Sequence, residues 1–196
     1  MPTISNYRGI IPAISCPFTA DHRIDEAALR KLASWLAGHE GVVAVMTNGH
    51  TGEVFSLTPT EHARLAKAAG AAGIDVMPPH HWLRFGFQPS QALAYFDAIW
   101  QATGLDLICH VYPAWTKASY SSGLLADLAR LPYVQAFKVG QREMSKYARD
   151  IKAIRDADAS KSILTCHDEY LLASMVQGVD GALVGFASFI PQLIIE

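Results

Sequence analysis

Short apolar, β-branched runs alternate with amphipathic helical stretches along this chain, and that alternation constrains the fold more than any single motif. The runs fall at 10–14, 42–46, 74–77, 105–111, 134–139, 163–166 and 182–184. Between them, helical spacing of apolar residues predicts helices at 25–38, 59–72, 89–103, 122–131, 143–157 and 169–178. The first helix carries Leu29, Leu32, Ala33 and Leu36 on one face, with Asp25 as N-cap and Glu26 in the first turn. Gly104, Gly178 and Gly181 punctuate helix-to-strand joins as expected C-cap positions. Continuous apolar strands separated by helices argue for a parallel sheet covered on both faces. No Gly/Ser linker or low-complexity stretch divides the sequence, so residues 1–196 read as one domain.

Seven readable strands favour a (β/α)8 TIM barrel over a doubly wound sheet. The latter would carry a G-x-G-x-x-G or G-K-[ST] phosphate loop, and the sequence has neither. A closed barrel typically takes about 250 residues. At 196 residues the expectation is an incomplete barrel that lacks whole strand–helix units.

Composition narrows the function. Half of the chain is apolar (51%) and 17% is charged, as for a packed globular protein, and the net charge of −2 leaves no footprint for nucleic acid or an anionic membrane surface. No apolar run reaches the roughly 18 residues that span a bilayer. The first residues lack the charged and apolar regions of a signal peptide. Cys16, Cys109 and Cys166 are odd in number and without zinc-like spacing, which reads as reduced thiols in a cytoplasmic protein.

One polar residue stands out in this apolar pattern. Lys138 lies inside the run VQAFKVG at 134–140. Lysine is rarely buried unless paired or put to work. Burial favours the neutral amine, the nucleophile that forms a Schiff base with a carbonyl substrate. The alternative is a lysine at a strand end, snorkelling its ammonium to solvent.

In a barrel, the active site is built at the C-terminal ends of the strands. Those ends gather Cys16, the segment GHTGE at 49–53, His80 and His81, HVYP at 110–113, Lys138, CHDE at 166–169, and Gly185. In the turn at 49–53, Gly49, His50 and Thr51 can present backbone N–H groups and a hydroxyl to a carboxylate, with Glu53 anchoring the turn. The plainer reading is an ordinary βα turn in which Gly52 supplies a positive φ. His110 and Tyr112 share a strand face, so either can move protons, with ordinary pKa values of about 6.5 and about 10. Asp168 and Glu169 either contact substrate hydroxyls or begin the next helix, where carboxylates suit its dipole.

These residues resemble the N-acetylneuraminate lyase and dihydrodipicolinate synthase family of Schiff-base-forming class I aldolases. The opening GIIPAISCPF at 9–18 followed by Asp25 is similar to the family's TPF…D pattern. GHTGE is similar to its G-[TS]-T-G-E carboxylate loop, Pro78-Pro79 to its PPYY segment, and HVYP to its YNxP. Phe137-Lys138 matches the strand carrying the Schiff-base lysine, and Asp168-Glu169 with GVDG at 178–181 match the stretch that follows. The resemblance implies aldol cleavage, condensation or dehydration of a 2-keto acid such as pyruvate, with no cofactor or metal, in a homo-oligomer (tetramer or dimer). It implies that Lys138 attacks the ketone, that Gly49, His50 and Thr51 hold the carboxylate, and that the Gly185 carbonyl lies beside the substrate.

The departures are specific. Histidine stands for the family's proton-shuttling tyrosine at His110, and for the PPYY tyrosines at His80 and His81. Such exchanges suggest a relay tuned nearer neutral pH, with Tyr112 as the alternative phenol. Trp115 occupies the place of an arginine used in the synthase subgroup, which argues against lysine biosynthesis. One strand–helix unit is missing between Ala66 and Gly73, and the C-terminal helices are missing too; coherent motifs on both sides favour a truncated form of a longer protein. Two other functions compete with the lyase. One is a non-catalytic keto-acid-binding paralogue. The other is a metal-dependent barrel enzyme using the strand-end histidines, although the first strand lacks the expected His-x-His pair.

Overall fold

The computed structural model describes residues 7–58, 60–61, 64–65, 71–113 and 116–196. Six strands are β1 (Ile10–Pro12), β2 (Gly73–Val76), β3 (Asp106–Val111), β4 (Val134–Val139), β5 (Ser162–Thr165) and β6 (Gly181–Val184). The helices are α1 (Glu26–Ala37), α2 (His80–Phe85), α3 (Pro89–Thr103), α4 (Ser122–Ala129), α5 (Met144–Ala157), α6 (Leu171–Val176) and α7 (Pro191–Ile195). Of the helix expected at 59–72, residues 60–61 and 64–65 are helical, 71–72 are not, and the remainder, like Trp115, lies outside the described residues. Two compact units emerge, one of Met1–Tyr7 with Ala72–Gly181 and the other of Arg8–Ala71 with Ala182–Glu196.

In the first unit β2, β3, β4 and β5 are consecutive parallel neighbours. One face of this sheet packs under the helices. Val76, Cys109, Val111, Phe137, Val139 and Ile163 from the strands join Phe96, Leu125, Leu128, Tyr147 and Ile154 from the helices in a single buried core. The helix ends follow from local chemistry. Gln88 N–H donates to the Gln91 side chain at 2.7 Å, Pro89 occupies the first turn, and Gly104 closes α3 at φ 63°. Ser121 accepts from Leu124 N at 3.2 Å to start α4. The buried Asp150 of α5 is satisfied by Ser122 Oγ at 2.6 Å and by Lys146 Nζ at 2.7 Å. Gly178 follows α6 at φ 85°, whereas Gly181 opens β6 and caps nothing. The helix expected at 169–178 is shorter, a one-turn 3-10 segment at Asp168–Tyr170 leading into α6.

Register decides what the opposite face carries. Between Leu107 and Ile108 the β3–β4 pairing shifts, from Leu107 with Val134 to Ile108 with Ala136. That extra residue in β4 turns Lys138 away from the helix-packed core and pairs it with His110. Just past β4, Gly140 N donates to Val111 O at 2.9 Å, and a Cβ on Gly140 would stand 2.9 Å from that same oxygen. Gly140→Ala is therefore expected to destabilise the fold by about 1–3 kcal/mol, read from the urea midpoint.

The second unit holds β1 beside the last three residues of β6. Asp25 caps α1 by accepting from Ala28 N at 2.9 Å, and Leu29 and Leu36 pack with Ile14, Cys16 and Ile24. The expected strand at 42–46 is reduced to isolated parallel bridges, Ile10 with Val42 and Ala13 with Met46. Proline explains the interruption. Ile10 and Ile14 donate on this side, to Gly41 O and Met46 O, but Pro12 between them has no N–H to give.

Candidate active site

The face of the first sheet turned away from the helices carries the polar candidates. Asp75 pairs in register with Ile108, His110 lies two residues beyond, and His110 pairs with Lys138. Lys138 pairs with Leu164, and Cys166 lies two residues beyond that. Since side chains alternate along a strand and paired residues share a face, Asp75, His110, Lys138 and Cys166 converge.

The distances bear out the register. Asp75 Oδ2 lies 3.0 Å from His110 Nδ1 and 3.9 Å from Lys138 Nζ, and all three side chains are at most 7% exposed. Cys166, just past β5, is partly exposed. Burial pulls the imidazole pKa down, but the Asp75 carboxylate and its hydrogen bond outweigh burial and Lys138, so it ends above the ordinary range. Burial pushes the Cys166 thiol up, yet His110 and the Lys138 charge bring it below the ordinary thiol range. The Tyr112 ring lies 5.2 Å from that of His110, and its pKa is raised by burial and then by the Asp75 and Cys166 charges. His167 braces the neighbouring strand end through Nε2 to Gly140 O at 3.0 Å.

Other sequence candidates have different surroundings. His80 and His81 are exposed at the start of α2, where the buried Trp82 stacks on Phe87 at 4.6 Å. Asp168 and Glu169 form the one-turn segment before α6, and Glu169 pairs with Arg142 at 3.2 Å. In the second unit, Gly49, His50 and Thr51 enter a tight turn closed by Gly52 N to Gly49 O and Glu53 N to His50 O, both 3.0 Å. Thr51 and His50 are exposed. The positive φ expected of Gly52 falls instead on Asn48 and Glu53, at 58° and 56°. Gly52 is required for a different reason: a Cβ there would lie 3.1 Å from Ile14 O. The Gly185 carbonyl accepts from Ser188 N at 3.0 Å. Among the described residues no group of three or more His, Cys, Asp and Glu is arranged to hold a metal ion, and no helix is long and apolar enough to cross a membrane.

Asp75 is the member of the cluster that the sequence reading lacks, although it carries the same signal as Lys138, a charge inside an apolar strand. Cys166 enters that reading only as the start of the CHDE strand end, with no role of its own.

Comparison with known proteins bears on the fold and the family. The chain is 23% identical over 225 residues to the putative 2-dehydro-3-deoxy-D-gluconate aldolase YagE of Escherichia coli K12, covering 98% of this chain and 74% of that protein. It is 25% identical over 224 residues to a 4-hydroxy-tetrahydrodipicolinate synthase of Acidiphilium cryptum, covering 97% and 74%. Each matched span exceeds the 196 residues of this chain, so these relatives carry internal residues that it lacks. The crystal structure of YagE in complex with pyruvate superposes with a TM-score of 0.83 at 22% identity, over 96% of this chain and 73% of that one. The N-acetylneuraminate lyase of Fusobacterium nucleatum gives 0.75 at 22% identity, over 92% and 71%. The fold is thus an incomplete (β/α) barrel. The model of the dihydrodipicolinate synthetase family matches residues 6–72 and again 59–195, and the two matches meet over the stretch where the sequence lacks a strand–helix unit. The chain belongs to the dihydrodipicolinate synthetase family.

Proposed function

We infer that the chain is a lyase that forms a Schiff base between Lys138 and a 2-keto acid of the pyruvate class. The observation that carries this reading is the buried Lys138 amine beside a buried His110–Asp75 pair. The pyruvate complex of YagE supports the substrate class. In the proposed reaction the neutral amine adds to the keto carbon and water leaves. The resulting iminium accepts the electron pair of the breaking carbon–carbon or carbon–hydrogen bond. His110 is the proton carrier, since Asp75 holds the imidazole against burial and raises its pKa, whereas burial drives the Tyr112 phenol up, further from neutrality. Gly49, His50 and Thr51 are proposed as a carboxylate-binding turn, and Gly185, His80, His81, Asp168 and Glu169 as substrate-side positions. A homo-oligomer in the cytoplasm completes the proposal.

The test is exchange of the pyruvate methyl hydrogens in deuterated water, followed by NMR, with enzyme at micromolar concentration. Exchange at a rate well above the protein-free control is expected, and His110→Phe should slow it by about 10²–10⁴-fold. Binding of pyruvate with no exchange would favour the non-catalytic paralogue instead.

A further inference from the structure

The proposed lyase reaction moves a positive charge through a buried site, and one carboxylate oxygen faces both groups that can carry it. Asp75 Oδ2 lies 3.0 Å from His110 Nδ1 and 3.9 Å from Lys138 Nζ. The three side chains come from neighbouring strands, are at most 7% exposed, and His110 pairs in register with Lys138. Away from water, a change in the net charge of such a cluster is costly. A proton drawn from solvent during the reaction is a change of that kind. A proton passed within the cluster is not.

Resting on the Schiff-base reading above, we propose that Asp75 is the counter-ion of the whole reaction, and that the proton that leaves with water already resides on the Lys138–His110 pair. The Lys138 ammonium passes its proton to His110, and Asp75 holds the resulting imidazolium through Nδ1. The neutral amine then adds to the keto carbon, forming the carbon–nitrogen bond, and a proton crosses from nitrogen to the carbonyl oxygen. The imidazolium protonates the new hydroxyl, the carbon–oxygen bond breaks and water departs. The nitrogen lone pair completes the carbon–nitrogen double bond, so the positive charge ends on Nζ, beside the same Asp75 oxygen. Ammonium and ketone have become iminium and water, with no proton taken from solvent.

The electrostatics of His110 agree with this arrangement. Burial lowers the imidazole pKa, the Asp75 charge raises it, and the Lys138 charge works against Asp75, as expected of two bases before one carboxylate. Tyr112 from the end of β3, its ring 5.2 Å from that of His110, and Cys166 just past β5 also face the cluster. Each is either neutral or negative, so each is a possible source of the proton but neither can be the cation.

The experiment counts the protons taken up as the full chain forms its pyruvate adduct at pH 8, by titration calorimetry in buffers of different ionisation enthalpy. Borohydride trapping in parallel measures the adduct on Lys138. A count near zero per adduct is expected. A count of about one, as for a neutral amine with no proton held beside it, overturns the proposal. Asp75→Asn leaves the pair without its counter-ion, so its count should approach one and its trapped adduct at pH 8 should fall at least about tenfold. A folded Asp75→Asn chain whose count stays near zero overturns the proposal too, because a purely structural Asp75 leaves the count unchanged. Should that variant fail to fold, the wild-type count decides. Cys166→Ser and Tyr112→Phe should each keep a count near zero; uptake that appears in either assigns the proton to that group and overturns the proposal. No trapped adduct at all overturns the Schiff-base reading, whereas an adduct formed with one proton taken up overturns this proposal alone.

Discussion

Asp75→Asn is expected to destabilise the chain by about 3–5 kcal/mol, because it withdraws the buried carboxylate that faces both His110 and Lys138. The asparagine keeps the volume, so the loss is electrostatic and does not come from a cavity. It should also depend on pH. The folded state raises the His110 pKa, so the pair contributes its full stability below the unfolded imidazole value of about 6.5 and loses it as pH rises through the higher folded value. Urea unfolding of wild type and variant should therefore give a larger difference at pH 6 than at pH 9. Equal differences at the two pH values would show that Asp75 does not hold a charged imidazole.

Lys138→Met has the larger effect on chemistry and the smaller one on the fold. Methionine fills a similar volume, and Asp75 retains its 3.0 Å contact with His110. Turnover of a 2-keto acid substrate should fall on the order of 10³-fold or more, since no other group can form the iminium. Steady-state kinetics on the folded variant check this. The contrast separates the two residues: Asp75 is a positioning residue whose loss is felt in stability and in the pH profile, whereas the loss of Lys138 is felt in turnover.

Much of this arrangement was legible in the sequence. The limits of β4 and of α3 agree with the apolar runs and caps, because long periodic segments with Gly and Pro punctuation leave little freedom. Lys138 and His110 were found from polarity inside apolar strands, and the structure brings them together. Less visible was what depends on pairing. Read by strict alternation from Val134, Lys138 falls on the helix side, and only the register shift beside Gln135 turns it to the opposite face. The strand at 42–46 was overestimated because its partner carries Pro12, a consequence that appears only once the two segments lie together. Asp75 bears the same signature as Lys138, a charge inside an apolar strand.

The central claim is that Lys138 is the amine that bonds to the keto acid. Incubation of the full chain with pyruvate and sodium borohydride, followed by peptide mapping, tests it most directly. A reduced pyruvyl adduct on the peptide bearing Lys138, absent without pyruvate and absent in Lys138→Met, is the predicted result. Folded protein that yields no adduct, or one on a different lysine, would contradict it.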